Sequence, residues 1–597
     1  MTGPAPRSPS RFARAGGWLA AALLLCALPA AAADRIRIEI DGVDKPIADN
    51  IRAYLSLTRY TQRDDLTDAQ VRRLADRAVD ETTDALRPFG YYEPNVHSRT
   101  TRDDENWIVR LKVALGEPVR LETVDIVLDG DGRNDRPLQT VISDSGLRQG
   151  ARLDHPSYES LKAALSRTAQ ERGYLDAKLT RRELVVDPAN RRADVHLALD
   201  TGARYHFGHV TIDQDAIEPG LLQRFVRFKE GDAFLAEQLR NTQFALEDSA
   251  YFGSVTVATG DRDTTAKTVP ITITGDRIRR DRYTVSAGYG TDTGVRGKVT
   301  WDNRRVNQRG HRMQVELTAS AVKTELIARY IIPVGDPSLE KLEFSTAYIN
   351  EEIGDLESER YELTGGYTEV LGRWQRVLFL KINRERTGFP DGTASDDLLL
   401  IPGVSYSSLP PNFLTGWVRD AAYYVELSGS PQTLGSDASY LRLYARGEKV
   451  WPIHGPWWLR VRGEVGASWI DDFSDLPASQ RFFAGGDRSV RGYGLNELSP
   501  MEVDPHDPEA GEQAVGGENK LVGSIEIERD FPHNLRGAIF FDTGNAFNDW
   551  ADQQLVYSAG IGVRFKLPML MLGLDVAQSL SDTDKNPRFH LNITQVL

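Results

Sequence analysis

The chain has 597 residues, a formal net charge of −14 and a single cysteine. That length calls for several domains, the acidic balance argues against a nucleic-acid binder, and after the N-terminus no apolar stretch approaches the ~20 residues of a membrane helix. A membrane β-barrel is not excluded, because alternating strands average out in a hydropathy sum.

In chain order, Arg7, Arg11 and Arg14 precede an apolar run, Trp18 to Leu28, which ends in the small residues Ala31 and Ala33. Residues 1–33 read as a secretory signal cut before Asp34. Cys26 lies inside the apolar run and follows Leu25, where a lipid-anchor signal would carry a small residue. The mature chain is therefore expected to hold no thiol and no disulfide, with a net charge near −17 once the three signal arginines are removed.

Three fragments then recur: FGYYEPNV (Phe89 to Val96), RGYLDAKL (Arg172 to Leu179) and SAYFGSVTV (Ser249 to Val257). A helical pattern precedes each of them, and an alternating strand follows each: WIVRLKVAL, ADVHLALD and TVPITITG. A strand also opens each unit, so each reads strand, two helices, two strands. Tyr91, Tyr174 and Tyr251 are expected to pack in the core at the exit of a helix. Edge strands of such modules suit the addition of an extended client strand. The pattern resembles the POTRA modules of outer-membrane assembly proteins. It implies three of them, at 34–116, 117–201 and 202–277.

From residue 278 to 597 the helical period disappears. In KLEFSTAYI, Leu342, Phe344, Thr346 and Tyr348 share one face; in WWLRVRGEVGASWI, Trp457, Leu459 and Val461 oppose Arg460, Arg462 and Glu464. Sixteen such runs, starting near Tyr283, Val295, Met313, Glu325, Leu342, Tyr361, Arg376, Leu399, Trp417, Tyr440, Trp457, Lys520, Leu535, Val556, Leu570 and Pro587, leave about 20 residues per strand and turn, enough for strands that span a bilayer. The fold class expected is α+β modules followed by a 16-stranded antiparallel transmembrane β-barrel. Trp301, Trp374, Trp451, Trp457, Trp469 and Trp550 lie near strand ends, where interfacial girdles form.

The stretch GGDRSVRGYG (Gly485 to Gly494) is rich in glycine but lacks the spacing, and the strand-to-helix setting, of a phosphate loop. No Gly-x-Ser-x-Gly elbow, zinc-protease helix or paired histidines occur, so no catalytic residue, cofactor or metal is expected. The chain is expected not to be an enzyme. Strand parity nominates two carboxylates. In LRGAIFFDTG the apolar Leu535, Ile539 and Phe541 share a face, leaving Asp542 and Gly544 on the other; in LVGSIEIE, Leu521, Ile525 and Ile527 leave Glu526 inward. An arginine fork suits such carboxylates because it binds them bidentately.

GGDRSVRGYG, GSIEIERDF and GAIFFDTGNAF together resemble the superfamily of POTRA-plus-barrel outer-membrane insertases and transporters. The resemblance implies a loop around 471–519 folded into the lumen, with Gly485, Gly486, Val490, Arg491, Gly492 and Tyr493 at its tip and Glu526, Asp542 and Gly544 as its wall. It also implies a lateral gate between the first and last strands, carried by Tyr283, Val285, Phe589 and Leu597. Three modules are most similar to the TamA branch, since general assembly proteins carry more and two-partner secretion transporters fewer. That branch implies insertion of client outer-membrane proteins, autotransporters among them, alongside a TamB-like inner-membrane-anchored periplasmic partner and outer-membrane lipid. The alternatives are a passive secretion pore and a barrel that mainly supports lipid transport between membranes. The location implied is the outer membrane of a Gram-negative bacterium, with the modules in the periplasm.

Overall fold

The computed structural model describes residues 36–597 apart from 64, 104–105, 409–420, 504–510, 568–569, 583–584 and 596–597. The secretory signal expected at 1–33 and the gate residue Leu597 lie outside the described residues. Two compact units are present: 36–206 with 231–236 and 263–268, and 207–230 with 237–262 and 269–597.

Three small sheets come first, each with the predicted strand, two helices, two strands. The first sheet holds Ile36–Asp41, Asn95–Asp103 and Asn106–Ala114. Its opening strand runs parallel to the closing one and the middle strand antiparallel to it. The helix Asp68–Leu86 starts at a capping box, Thr67 with Gln70, which satisfies two orphan amides. It buries Val71, Ala75, Ala78, Ala85 and Leu86 against Val109 and Leu111 of the sheet. The second sheet (Arg120–Asp129, Lys178–Asp187, Arg192–Asp200) and the third (His206–Asp213, Phe252–Thr259, Thr268–Arg277) have the same strand order.

The recurring step after the second helix of each module has a common geometry. Gly90, Gly173 and Ala250 all adopt positive φ, at 84°, 90° and 63°, and each turns the chain toward whatever follows. A Cβ on Gly90 would stand 2.5 Å from the Leu153 carbonyl oxygen, and one on Gly173 2.7 Å from that of Phe234, so close backbone approach requires glycine at both. Tyr91 accepts a hydrogen bond from Arg152 at 3.1 Å, and Tyr174 donates to Asp135 at 3.1 Å. Tyr251 is buried, as expected of core packing, but it also reaches beyond its own module: its hydroxyl donates to the Gly310 carbonyl, 2.6 Å away in the turn after the second barrel strand. Burial pushes the Tyr251 phenol up to about 12, so it remains a donor at physiological pH.

Further contacts fasten the third module to the barrel. The Glu218 amide donates to the Gln308 carbonyl at 2.8 Å. Arg224 donates to the Gly335 carbonyl at 2.8 Å, and Arg227 pairs with Asp336. A Cβ on Gly310 would lie 2.4 Å from Leu221 and 2.6 Å from the Tyr251 hydroxyl, so this turn needs glycine for space as well as for its φ of 75°.

Sixteen antiparallel strands close the barrel, from Asp281–Gly290 to Arg588–Gln595. Side chains alternate as the pleat demands: Ile525, Ile527, Ile539 and Phe541 are exposed on the outer face, whereas Ser524, Glu526, Glu528 and Asp542 are buried inside. Observed strand starts fall close to the predicted ones, with two larger differences at Leu356 and Ala394, each five residues earlier than expected. The ninth strand is described from Ala421, and the expected start at Trp417 lies outside the described residues. Adjacent strands such as Asn519–Phe531 and Leu535–Phe547 share thirteen register pairs. Among the described residues the first and last strands share two, Tyr289 with Ile593 and Gly290 with Asn592.

Candidate functional site: an infolded loop on the barrel wall

The segment between the strands Trp457–Ile470 and Asn519–Phe531 turns back into the lumen. Its base is fixed by two β-bridges, Phe482 with Gly517 and Ala484 with Leu498. It is also held by Glu385, buried on the strand Trp374–Gly388, which accepts from the Ser479 amide at 2.9 Å. Gly485 and Gly486, with φ of 100° and 91°, reverse the chain at the tip. A Cβ on Gly485 would collide with the Gly494 carbonyl oxygen at 2.2 Å, so no other residue fits the turn.

Arg491 then enters the wall. It is 1% exposed, and its partners Asp542 and Glu526 are 0% and 3% exposed. Nε and Nη2 donate to the two oxygens of Asp542, each at 2.8 Å, in the bidentate fork expected of this pair. Nη1 donates to Glu526 at 2.9 Å and lies 3.5 Å from Asp575. Ser524 completes the ring by donating to Asp542 at 2.6 Å, and the Arg491 amide also donates to Asp542, at 3.2 Å. The guanidinium lies over the Phe540 ring, 3.2 Å from its centroid. One cation thus faces three carboxylates, and Arg564, in reach of Glu526 at 3.4 Å and Asp575 at 3.0 Å, offsets part of the excess. Removing a single member of such a set leaves a buried charge uncompensated.

Of the remaining tip residues, Val490 packs with Ala484, Tyr493, Leu498 and Val522 in a small apolar cluster. Tyr493 accepts a hydrogen bond from Ser579 at 2.8 Å and lies beneath the Lys585 ammonium. Gly492 is the residue whose missing side chain admits the loop: a Cβ there would be 2.7 Å from the Cβ of Ser558 and 3.0 Å from the Ser579 amide. Gly544, expected to leave room for the loop, has a different job. A Cβ on it would meet the Leu521 carbonyl and Val522 of the paired strand, so its missing side chain serves strand pairing.

At the seam, Tyr283, Val285 and Phe589 are 73%, 71% and 62% exposed, on the outer face. They do not face one another: the register that pairs Tyr289 with Ile593 places Phe589 beyond the end of the first strand. Sequence reasoning missed several members of the site. Asp575 and His590 are legible by parity, since each sits between outward apolar neighbours, Leu574 with Val576 and Phe589 with Leu591. Asp292, in a three-residue turn, carries no pattern at all. Among the described residues no group of acidic, histidine or cysteine side chains is placed to hold a metal.

Comparison with known proteins agrees with this architecture. Residues 393–596 match the Omp85 superfamily domain, 37–115 match the POTRA domain described as TamA domain 1, and 205–274 match the surface antigen variable number repeat. The outer membrane protein assembly factor BamA of Nitratidesulfovibrio vulgaris is 21% identical over 564 residues, covering 89% of this chain and 69% of that one. The crystal structure of BamA from Haemophilus ducreyi lacking POTRA domains 1–3 has the same fold, with a TM-score of 0.65 at 15% identity over 80% of this chain and 100% of that one. Three POTRA-like sheets, a closed barrel and an arginine-locked infolded loop together identify this chain as a member of the Omp85 superfamily, an assembly or secretion barrel of the Gram-negative outer membrane with its POTRA modules in the periplasm.

Proposed function

We propose that the chain is a non-enzymatic insertase of the TamA type, which receives unfolded outer-membrane clients, autotransporters among them, and releases them sideways into the bilayer. The observation that carries this reading is the seam. Among the described residues the first strand pairs with the last at Tyr289 and Gly290, and a short paired edge of this kind is one that an incoming strand can extend. Strand addition needs no catalytic group, only an edge that can be opened, and backbone hydrogen bonds formed in lipid are strongly favoured over unpaired groups.

In this reading a TamB-like, inner-membrane-anchored partner works on the periplasmic side, and the surrounding outer-membrane lipid receives the product. The match of residues 37–115 to a TamA POTRA domain supports that branch. A passive pore is disfavoured by the loop, whose buried tip occupies part of the lumen. The test is a disulfide across the seam, Tyr289→Cys with Ile593→Cys, in liposomes supplied with an unfolded autotransporter barrel. Insertion is expected to stop on oxidation and recover on reduction; insertion that continues with the seam fully locked overturns the proposal.

A further inference from the structure

Among the described residues two register pairs join the first and last strands, and the infolded loop crosses the same gap with side-chain and backbone contacts. On the side of the first hairpin, the Asp487 amide donates to Asp292 Oδ2 at 2.7 Å. On the side of the last strand, Asn592 donates to the Asp487 carboxylate, and His590 Nε2 donates to the Arg491 carbonyl at 2.7 Å. Two contacts span the gap directly: the Thr291 amide donates to the Leu591 carbonyl at 3.3 Å, and His590 Nδ1 lies 3.5 Å from Asp292 Oδ1. His590 is 3% exposed, and its Nδ1 has no hydrogen-bond partner within bonding distance.

This geometry dictates a protonation state. The Arg491 carbonyl only accepts, so Nε2 must carry a hydrogen. In a neutral ring Nδ1 would then turn a lone pair toward a carboxylate; in the imidazolium the same contact becomes an ion pair. Carboxylates face the ring from three elements. Asp292 faces it from the first hairpin, Asp487 from the loop and Asp575, its register partner, from the neighbouring strand. Against them stand the Arg491 guanidinium, engaged by Asp542 and Glu526, Arg564, engaged by Asp575, and Arg588, engaged by Glu497.

We propose that His590 is a positioning residue of the seam: as the imidazolium it straps the last strand to the first hairpin through Asp292 and to the infolded loop through Arg491, and loss of its proton loosens the strap. The proposal rests on the reading of the seam as a lateral gate. The strap is whole at mildly acidic pH and weakens as pH rises through the titration of the ring. Opening then requires no break in the Arg491–Asp542 fork, because His590 holds Arg491 by its backbone carbonyl and not by its guanidinium.

The experiment uses the full mature chain in lipid nanodiscs, with spin labels at Val285→Cys and Leu574→Cys, both on the outer face. Distance distributions are recorded at about pH 5.5 and about pH 8.5, either side of an ordinary imidazole titration. A single short distance is expected at the lower pH, and a long-distance population that grows several-fold at the higher one. His590→Gln, which keeps an N–H donor but cannot become a cation, is expected to give the broad distribution at both. Asp292→Asn, which leaves His590 in place, is expected to abolish the pH dependence, with heat-modifiable gel migration confirming that each variant is folded. A wild-type distribution that does not change with pH, or a pH response that survives in His590→Gln, overturns the strap. If locking Tyr289→Cys to Ile593→Cys stops client insertion while both strap variants leave the distances unchanged, the gate stands and the strap fails. If the distances respond as expected but locking has no effect on insertion, the strap stands and the gate reading fails.

Discussion

The wall that receives the loop and the seam are built from the same kind of strand, and they differ in how much holds them. At the wall, thirteen register pairs between two strands are reinforced by a buried arginine with three carboxylates within reach. At the seam, two register pairs are supplemented by polar contacts through the loop. A closed barrel has no intrinsic reason to be uneven, since closure satisfies every backbone edge. The contrast shows where contacts are concentrated: the loop is locked to one wall and also touches the joint that, among the described residues, has the fewest register pairs.

Breaking the strong side has the largest expected effect. Arg491→Ala strands Asp542 and Glu526 without their cation and is expected to destabilise the docked barrel by about 3–5 kcal/mol, read as a fall in the temperature of heat-modifiable migration and as loss of client insertion. Arg491→Lys should recover only part of this, since an ammonium cannot reproduce the fork. Next comes Gly492→Val, which forces side-chain atoms into the space held by Ser558 and Ser579 and is expected to cost about 1–3 kcal/mol by overpacking. Proteolysis within 471–519 would reveal the undocked loop.

The periplasmic attachment is a weaker control. Tyr251→Phe removes one donor from the Gly310 carbonyl and should cost about 1–3 kcal/mol, seen as faster hydrogen exchange in the turn 304–311 with the barrel itself intact. The same contact predicts a pH dependence. The folded phenol titrates at about 12, above its unfolded value near 10, so its contribution is fully present below about pH 10 and is lost as pH rises through about 12. Alkaline exchange in that turn should therefore be steeper in the wild type than in Tyr251→Phe. The smallest effect is expected for Val285→Thr on the outer face of the first strand, which should leave migration unchanged within about 0.5 kcal/mol.

Much of this contrast can be read from the amino-acid order, because a strand exposes its two faces as alternate residues. Glu526 between Ile525 and Ile527, and Asp542 after Phe541, point inward on pattern alone. What alternation cannot show is which inward group meets which. His590 is readable as inward, but its partners Asp292 and the Arg491 carbonyl come from segments 298 and 99 positions away in the chain. Strand ends suffer similarly. The hairpins beginning at Leu356 and Ala394 extend through Glu357, Ser358, Glu359 and Arg360, and through Ser395, Asp396 and Asp397, where both faces are polar and apolar alternation disappears. Gly544 differs from its expected role because a glycine in a strand reports close approach without saying from which side.

The left-handed step at Gly90, Gly173 and Ala250 has a consequence for how such chains vary in length. Each step closely approaches a later segment: Gly90 the backbone of Leu153, Gly173 that of Phe234, and the third, through Tyr251, the barrel turn at Gly310, whereas the Tyr174 hydroxyl stays within its own module on Asp135. The space-giving glycine even changes sides, from the step itself to Gly310 on the barrel. A coupling that accepts either kind of neighbour works like a standard plug. A change in the number of modules would then have to preserve this one contact at the barrel turn, and the rest of the barrel would be untouched by it.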